Sequence, residues 1–481
     1  MDVPHQDLPP LVVDLDGTLV HTDTLVESLL TLLGRGEGLG AGMTLLRHGL
    51  AAHKQAVAAL APPPVHLLPY NEALLAWLRR QKAAGRHLVL ATASDRTVAR
   101  AVADHLGLFD EVIGSDGVHN LKGHAKAACL VQRFGAAGFA YAGNSRADLP
   151  VWQAAAAAVI VNAPEPVAAA ARRLVPVEAE IANRPSVLRA LLAAMRPHQW
   201  VKNLLVFVPV LTAQAYGQRG VWLPAVLAFA GFCATASALY IVNDLLDLAA
   251  DRAHPRKRYR PFASGTAPLP AGIALSAGLL STGLLLGWLS GALLILLAYL
   301  TTTLLYSLAF KQQPLIDVFC LAALYVLRVL GGGAATGHLL SFWLLGFSGF
   351  LFLSLALVKR VEELGSASLE GRRRIGRRGY TAEDLPILQL FGCASTFASS
   401  VVLALYVQAE ATMTRYAAPG VLWAIVPLLL FWQCRLWLST ARGYMHEDPI
   451  IYAARDWVSW LVALSLVAVL VVAKYAGFLG L

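Results

Sequence analysis

Asp244, Asp247 and Asp251 recur at i, i+3 and i+7 in the stretch NDLLDLAADRAHPRKRYR, residues 243–260, directly after a long apolar run. On a helix that spacing aligns the three carboxylates on one face. Like charges on adjacent turns repel, so a bare helix avoids the arrangement. A divalent cation reverses the sign of that energy, and oxygen ligands of this kind suit Mg²⁺. Mg²⁺ is usually held by few carboxylates and completed by phosphate oxygens. Asn243 precedes the acids, and Arg252, Arg256, Lys257, Arg258 and Arg260 follow them as cations for further phosphate. The segment reads as a Mg²⁺–diphosphate site at the mouth of a membrane helix. The positive-inside rule alone would account for the bases but not for the phased acids.

A second constellation lies near the amino terminus. Asp14 and Asp16 flank Leu15 at the end of the apolar run LVVDLD (11–16), before Gly17 and Thr18. Strand alternation aims both carboxylates at the same side. Thr92 ends a second run, HLVLATAS (87–94), and Lys126 opens a helix after the turn at Gly123. Gly143, Asn144, Ser145 and Asp148 follow a third run, FAYAGN (139–144). Carboxylate attack on a phosphoryl group needs a metal and a cation to screen the repulsion. Acids for the first and a lysine for the second are both in this set. Ser94 and Lys122 compete with Thr92 and Lys126 for their roles.

The elements that must carry these groups divide the chain near residue 180. Before it, the three runs above and AVIVNA (158–163) are short, apolar and separated by helical stretches, which suggests a parallel α/β sheet. Acids at the ends of such strands lie at the carboxyl edge of the sheet. The Leu-rich patterns over about 22–75 suggest a small helical cap. Domains are expected at 1–180, with a linker over 181–195, and at 196–481. Beyond 200, long apolar spans predict an all-α polytopic membrane domain of about nine transmembrane helices. They fall at approximately 203–216, 221–243, 270–288, 290–309, 315–333, 340–358, 386–408, 417–438 and 457–479.

Composition agrees. Of 481 residues, 57% are hydrophobic and 14% charged, and mean hydropathy is +0.58; soluble domains carry about 25% charge. The net charge of +9 is that of a membrane protein with basic cytoplasmic loops. No nucleic-acid module is present. The opening MDVPHQDLPP lacks the pattern of a signal peptide, so the amino-terminal domain is expected in the cytoplasm. Alternate loops then test the topology. One set carries the 247–260 run, Lys311, the 359–378 stretch with GRRRIGRR, and residues 435–455. The other carries almost no charge. The rule therefore predicts a multi-pass inner membrane protein with both constellations on the cytoplasmic face.

Residues 11–163 resemble the haloacid-dehalogenase-like phosphatases: DxDGT, a strand-ending Thr or Ser, a Lys, and a GDxxxD-type ending in which Asn144 replaces the first acid. The resemblance implies a Rossmann-like α/β fold. It implies Asp14 as nucleophile, Asp16 as general acid/base, and Thr92 and Lys126 as phosphate holders. Mg²⁺ would be held by Asp14, the Asp16 carbonyl, Asn144 and Asp148.

About 190–480 resembles the UbiA-type polyprenyl transferases, with 243–251 as the first Asp-rich motif. That family's second loop normally carries further acids. Here the loop beginning at Tyr306 offers only Asp317, with Lys311. RPHQWVKN (196–203), NDxxDxxxDxxHPxKRxRP (243–261), LALVKRVEEL (355–364) and HEDPIIYAARD (446–456) look more narrowly like decaprenyl-phosphate phosphoribosyltransferases. That likeness implies transfer of 5-phosphoribose from phosphoribosyl diphosphate to a polyprenyl phosphate. Its substrate-binding set would include Asn243, Arg196, Lys202, Lys257, Arg258, Arg260, Tyr306, Lys311, Asp317, Arg328, Lys359 and Arg360. His254 and His446 are phosphate donors or plain loop residues. Trp200 is expected as an interfacial anchor, and Arg328, inside an apolar span, is expected to face a cavity. Gly331 to Gly333 shape a lipid groove or pack helices closely.

Three readings follow. The first is a bifunctional enzyme whose phosphatase acts on the lipid-linked phosphoribose, or on released diphosphate. The second is a transferase with a regulatory phosphatase-like domain. The third is a prenyltransferase that joins a polyprenyl diphosphate to an aromatic acceptor. Homo-oligomerisation is left open.

Overall fold

The computed structural model describes residues 8–36, 51–338, 340–369, 379–445 and 449–479. The GRRRIGRR stretch and His446 lie outside the described residues. Two compact units form: Met1–Met195 with Tyr240–Ala277, and Arg196–Leu239 with Gly278–Leu481.

The first unit is built on six parallel strands, β1 (Leu11–Val13), β2 (Leu88–Asp95), β3 (Glu111–Ser115), β4 (Ala140–Gly143), β5 (Ala157–Val161) and β6 (Val177–Ile181). Their order is β3-β2-β1-β4-β5-β6. Leu11, Val13, Leu88 and Leu90 join one core, while Val12, Val89, Ala91 and Tyr141 join the core on the opposite face. Both faces are covered, so these strands read as unbroken apolar runs. The strand order reverses at β1, and the crevice beyond the carboxyl ends of β1, β2 and β4 is the binding position of such sheets.

The runs expected as strands are β1, β2, β4 and β5. β3 and β6, which those runs omit, are the two edges. Edge strands bury less, and the alternation of Glu178 and Glu180 in β6 breaks the apolar signal. The stretch expected as a linker, 181–195, holds the end of β6 and the helix Val187–Ala194, and it belongs to the first unit. Of the expected cap, the structure describes the helix Thr24–Gly34, helical residues 51–60 and a turn at Val65–Leu67. The two helices meet through Leu32, Val57 and Ala61.

Among the described residues, seven helices are long and apolar enough to cross a membrane: Arg219–Leu246, Leu269–Leu289, Ile316–Thr336, Phe342–Ser366, Ala382–Gln408, Pro419–Ala441 and Trp457–Ala476. Leu293–Leu308 is apolar but shorter. Residues 203–216, expected as one span, instead form 3-10 turns over Pro197–Phe207 and a helix of five residues, Val208–Thr212. Five residues rise only about 7.5 Å, so this segment does not cross as a single helix.

Ile316–Thr336 and Phe342–Leu369 share a core of Val318, Tyr325, Phe352, Leu355 and Val358. Gly331 to Gly333 serve close packing in that unit. A Cβ on Gly332 would stand 1.9 Å from the Val206 carbonyl oxygen. Gly332→Val is therefore expected to prevent assembly of the membrane unit, checked by the loss of monodisperse protein after detergent extraction.

Candidate functional site

In the first unit, Asp14 continues from β1, its N–H donating to the Ala142 carbonyl of β4 at 3.0 Å. Its Oδ1 accepts from Lys126 Nζ at 2.7 Å. Lys126 also donates to Tyr141 Oη at 2.8 Å, and Tyr141 in turn donates to Asp148 Oδ1 at 2.8 Å. The other Asp148 oxygen accepts from Asn144 N, Ser145 N and Ser145 Oγ at 2.9–3.1 Å, which fixes the turn after β4. One cation thus stands between two buried carboxylates. Burial pushes the Asp14 carboxyl up to about 6, against the pull of Lys126 and with a further push from Asp148.

Asp16 is held from two sides. Oδ1 accepts the Thr24 N–H at 2.8 Å and Oδ2 accepts from Ser94 Oγ. Ser94 in turn contacts Thr24 Oγ1 at 2.9 Å. Burial, then the nearby Asp23 charge, raise Asp16 to about 7. A carboxyl near 7 carries its proton half the time at neutral pH, the state a general acid needs. Between the competing pairs, Lys126 is the lysine bonded to Asp14, while Lys122 lines the cavity. Ser94 is the hydroxyl bonded to Asp16, while Thr92 Oγ1 accepts the Ser94 N–H at 3.0 Å.

These groups line a cavity of about 400 Å³. Two further cations reach it: Lys54 from the cap, bonded to the Ala93 carbonyl and Asn120 Oδ1, and Arg184. Pro268, Leu269 and Pro270, from the segment after the Asp-rich motif, form part of its wall. Sequence reasoning missed Lys54, Arg184 and Tyr141. Tyr141 looks like any core aromatic of a strand, and Lys54 sits in an Ala-rich helix with no diagnostic spacing.

The Asp-rich motif is not carried by one unbroken helix, although i→i−4 bonds still join Asn243 to Asp247 and Asp247 to Asp251. The long helix ends at Leu246, Asp247 takes a turn conformation, and a second helix runs Leu248–Ala253. Asp244 and Asp251 converge on one cation, the Arg260 guanidinium, at 3.0 and 2.7 Å. Asp247 instead stands at the N-cap of the short helix. Burial raises the Asp251 carboxyl against the opposing charge of Arg260. Lys257 and Arg258 are exposed, and Asn243 is half-buried. His254 Nδ1 accepts the Arg256 and Lys257 N–H groups, which is a turn-forming role.

Residues expected to bind substrate from the second unit form two buried groups. Asp317 pairs with Arg360 at 2.6 Å and accepts from Tyr380 Oη at 2.6 Å, and Arg360 also pairs with Glu363. Arg360, expected as a substrate cation, is fully buried in this network. Arg328 is bonded to Asn203 Oδ1 at 2.7 Å, the Leu324 carbonyl at 2.5 Å and Tyr299 Oη at 3.0 Å, and it is likewise committed inside the unit. Lys202 stands 5.9 Å from the Tyr325 ring. Trp200, expected as an interfacial anchor, donates to Ser237 Oγ at 3.0 Å. Tyr306, Lys311 and Lys359 are half-buried, and Arg196 opens the 3-10 stretch in a left-handed conformation. The sequence signals missed here are Tyr299, Glu363 and Tyr380. Buried Arg360→Met would strand Asp317, a change expected to cost about 3–5 kcal/mol. A lowered thermal midpoint of the solubilised protein checks it.

Among the described residues, no three His, Cys, Asp or Glu side chains gather as a metal-binding group. The donors nonetheless fit Mg²⁺, which takes few protein oxygens and keeps water or phosphate oxygens. In the cavity these are Asp14, Asp148, Asn144 and the Asp16 carbonyl. At the Asp-rich motif, Arg260 already stands as a cation between Asp244 and Asp251.

A six-stranded parallel sheet with an Asp–Lys–Asp crevice, joined to a bundle of apolar helices with an Asp-rich motif, defines a phosphatase-like domain fused to a membrane transferase. The chain belongs to the UbiA prenyltransferase family, whose pattern matches residues 204–447, and residues 11–153 match the haloacid dehalogenase-like hydrolases. It is 36% identical to an uncharacterized protein of Sinorhizobium fredii, y4nM, over 96% of this chain and 91% of that protein. It is 35% identical to the nodulation protein NoeC of Azorhizobium caulinodans, over 59% of this chain and 92% of that protein. It is 30% identical to the decaprenyl-phosphate phosphoribosyltransferase of Mycobacterium tuberculosis, over 59% of this chain and 93% of that protein.

Proposed function

We propose that this protein transfers 5-phosphoribose from phosphoribosyl diphosphate to a polyprenyl phosphate and then removes the 5-phosphate from its own product. The observation that carries the reading is that the Asp14–Lys126–Asp148 cavity and the Asp244–Arg260–Asp251 group are built into one compact unit. Similarity to decaprenyl-phosphate phosphoribosyltransferases supports the first reaction, and the second loop with Asp317 as its lone acid, engaged by Arg360, agrees with it.

In the transfer, diphosphate leaves the anomeric carbon through an oxocarbenium-like state, and a lipid phosphate oxygen forms the new bond. Arg260, Lys257 and Arg258 hold the diphosphate oxygens. Asp244 and Asp251, with Asp247 at the turn beside them, would hold Mg²⁺, which supplies Lewis-acid screening of the leaving charge. In the hydrolysis, Asp14 attacks phosphorus and the bond to the ribose 5-oxygen breaks. Asp16 gives that oxygen its proton. Water then attacks the aspartyl phosphate, losing a proton to Asp16, and frees phosphate. Lys126 offsets the charge of Asp14 as the anionic substrate approaches, and Thr92 and Lys126 are assigned to hold the phosphate. Asp14, Asp148, Asn144 and the Asp16 carbonyl would hold Mg²⁺ there.

Loop charge supports placing both sites on the cytoplasmic face of the inner membrane. Full chain in detergent, given labelled phosphoribosyl diphosphate and polyprenyl phosphate, is expected to yield lipid-linked ribose by mass spectrometry. No labelled lipid from these substrates, with a prenylated aromatic acid and free diphosphate formed instead when a polyprenyl diphosphate and an aromatic acid are supplied, overturns the reading.

A further inference from the structure

We propose that the Glu27–Arg252 ion pair is a positioning clamp through which the segment after the Asp-rich motif holds Asp16 of the phosphatase cavity in place. This inference rests on the phosphatase reading above and goes beyond it.

Glu27 lies in the first turn of the helix Thr24–Gly34. The same helix start supplies the Thr24 N–H to Asp16 Oδ1 and the Thr24 hydroxyl to Ser94, which holds Asp16 Oδ2. Whatever fixes this first turn therefore fixes both oxygens of the proposed acid. Glu27 is fixed by a group 225 residues distant in sequence. Arg252 Nη1 donates to Oε2 at 2.9 Å and Nη2 donates to Oε1 at 2.5 Å, a two-pronged pair. Both side chains are only 5–6% exposed, so neither charge has water as an alternative partner. Thr22 Oγ1 adds a bond to Glu27 Oε1 at 2.6 Å, and the Thr22 carbonyl accepts the Gly17 N–H at 3.1 Å. The clamp thus reaches the loop that follows Asp16 as well as the helix.

Arg252 is held in turn. Its Nε donates to the Ala263 carbonyl at 2.9 Å. Arg184, which lines the cavity, donates to the Gly265 carbonyl at 3.0 Å. Residues 252–265 are thereby pinned to the phosphatase fold at two points, Glu27 of the cap and Arg184 beyond β6, and Pro268, Leu269 and Pro270 come to wall the cavity. Arg252 directly follows Asp251, whose carboxylate is on Arg260. One short helix, Leu248–Ala253, so presents one side chain to the Asp-rich motif and the next to the phosphatase.

A proton donor matters in proportion to how poor the leaving group is. A sugar alkoxide needs the proton of Asp16, whereas p-nitrophenolate leaves without one. The ratio of kcat/KM for these two esters, which reports phosphoryl transfer to Asp14 before water attacks, therefore reads the placement of Asp16 and not the amount of folded protein. Full-length Glu27→Gln, Arg252→Met and the milder Arg252→Lys would be assayed in detergent with ribose 5-phosphate and p-nitrophenyl phosphate. In the first two variants the alkyl ester is expected to lose about 10²-fold and the aryl ester less than about threefold, with Arg252→Lys between them and wild type. Equal losses on both esters, or no loss on either, overturn the clamp and leave the phosphatase reading standing. Wild-type protein inactive on both esters and on lipid-linked phosphoribose overturns the phosphatase reading and the clamp with it.

Discussion

Asp14→Asn is expected to stop the reaction sequence at lipid-linked phosphoribose, with hydrolysis of any phosphate monoester down by at least about 10³-fold. The amide has no charge to attack phosphorus and cannot form the aspartyl phosphate. Its size is that of the acid, so the sheet and the Tyr141–Asp148 contacts should survive. The transferase groups lie elsewhere in the chain, so labelled phosphoribose should still reach lipid. The phosphorylated lipid should then accumulate where wild type gives lipid-linked ribose. Tethering strengthens the expected contrast. A site in the same compact unit as the Asp-rich motif meets nascent product at high effective concentration, on the order of millimolar. Phosphorylated lipid in both proteins, with diphosphate building up only in the variant, would reassign the phosphatase to the released diphosphate. Phosphorylated lipid in both and no hydrolysis of any monoester by wild type would make the domain regulatory.

The parts of this site that could be read from sequence are those fixed by strand periodicity. Asp14, Asp16 and Asp148 follow apolar runs, and a parallel sheet places the ends of such runs at one edge. Lys126 was legible because it opens a helix in the same chain order. What stayed hidden depends on contacts between distant segments. Lys54 comes from the cap and Arg184 from the end of the sheet, and neither has a spacing that marks it. Glu27 and Arg252 are separated by more than two hundred residues, and each looks like a solvated charge until burial pairs them. Asp247 shows the limit of periodicity itself. Its spacing fits a continuous helix, yet the chain turns there and only Asp244 and Asp251 share a cation. Arg328 was legible as a costly charge in an apolar span but not as the member of a closed network, because its partners Asn203 and Tyr299 carry no charge to reveal them. Arg360 read as a substrate cation, because nothing in its spacing shows that Asp317, distant in sequence, pairs with it. The edge strands β3 and β6 escaped for a related reason: each is paired on one side alone and buries less than the central strands, and β6 carries Glu178 and Glu180 among its residues.

Asp244→Asn and Asp251→Asn are expected to lower lipid phosphoribosylation by about 10²–10³-fold each, the range seen when one electrostatic stabiliser of a leaving charge is removed. The two carboxylates already converge on Arg260, so each replacement removes half of the charge that holds a cation at that point. Arg260 would then swing toward the remaining acid, and the diphosphate would lose a partner as well. Asp247→Asn is expected to cost less, about tenfold, because the Arg260 guanidinium is bonded by Asp244 and Asp251, the pair that marks the cation position. Exhaustive chelation of Mg²⁺ should abolish transfer in wild type and leave the ranking of the variants without meaning, which separates metal dependence from a simple charge effect. Hydrolysis of a small ester at Asp14 serves as the fold control for Asp244→Asn. Wild-type transfer in both Asp244→Asn and Asp251→Asn would remove the metal assignment. A larger loss in Asp247→Asn than in either would show that the substrate-bound motif straightens into the continuous helix that its spacing describes.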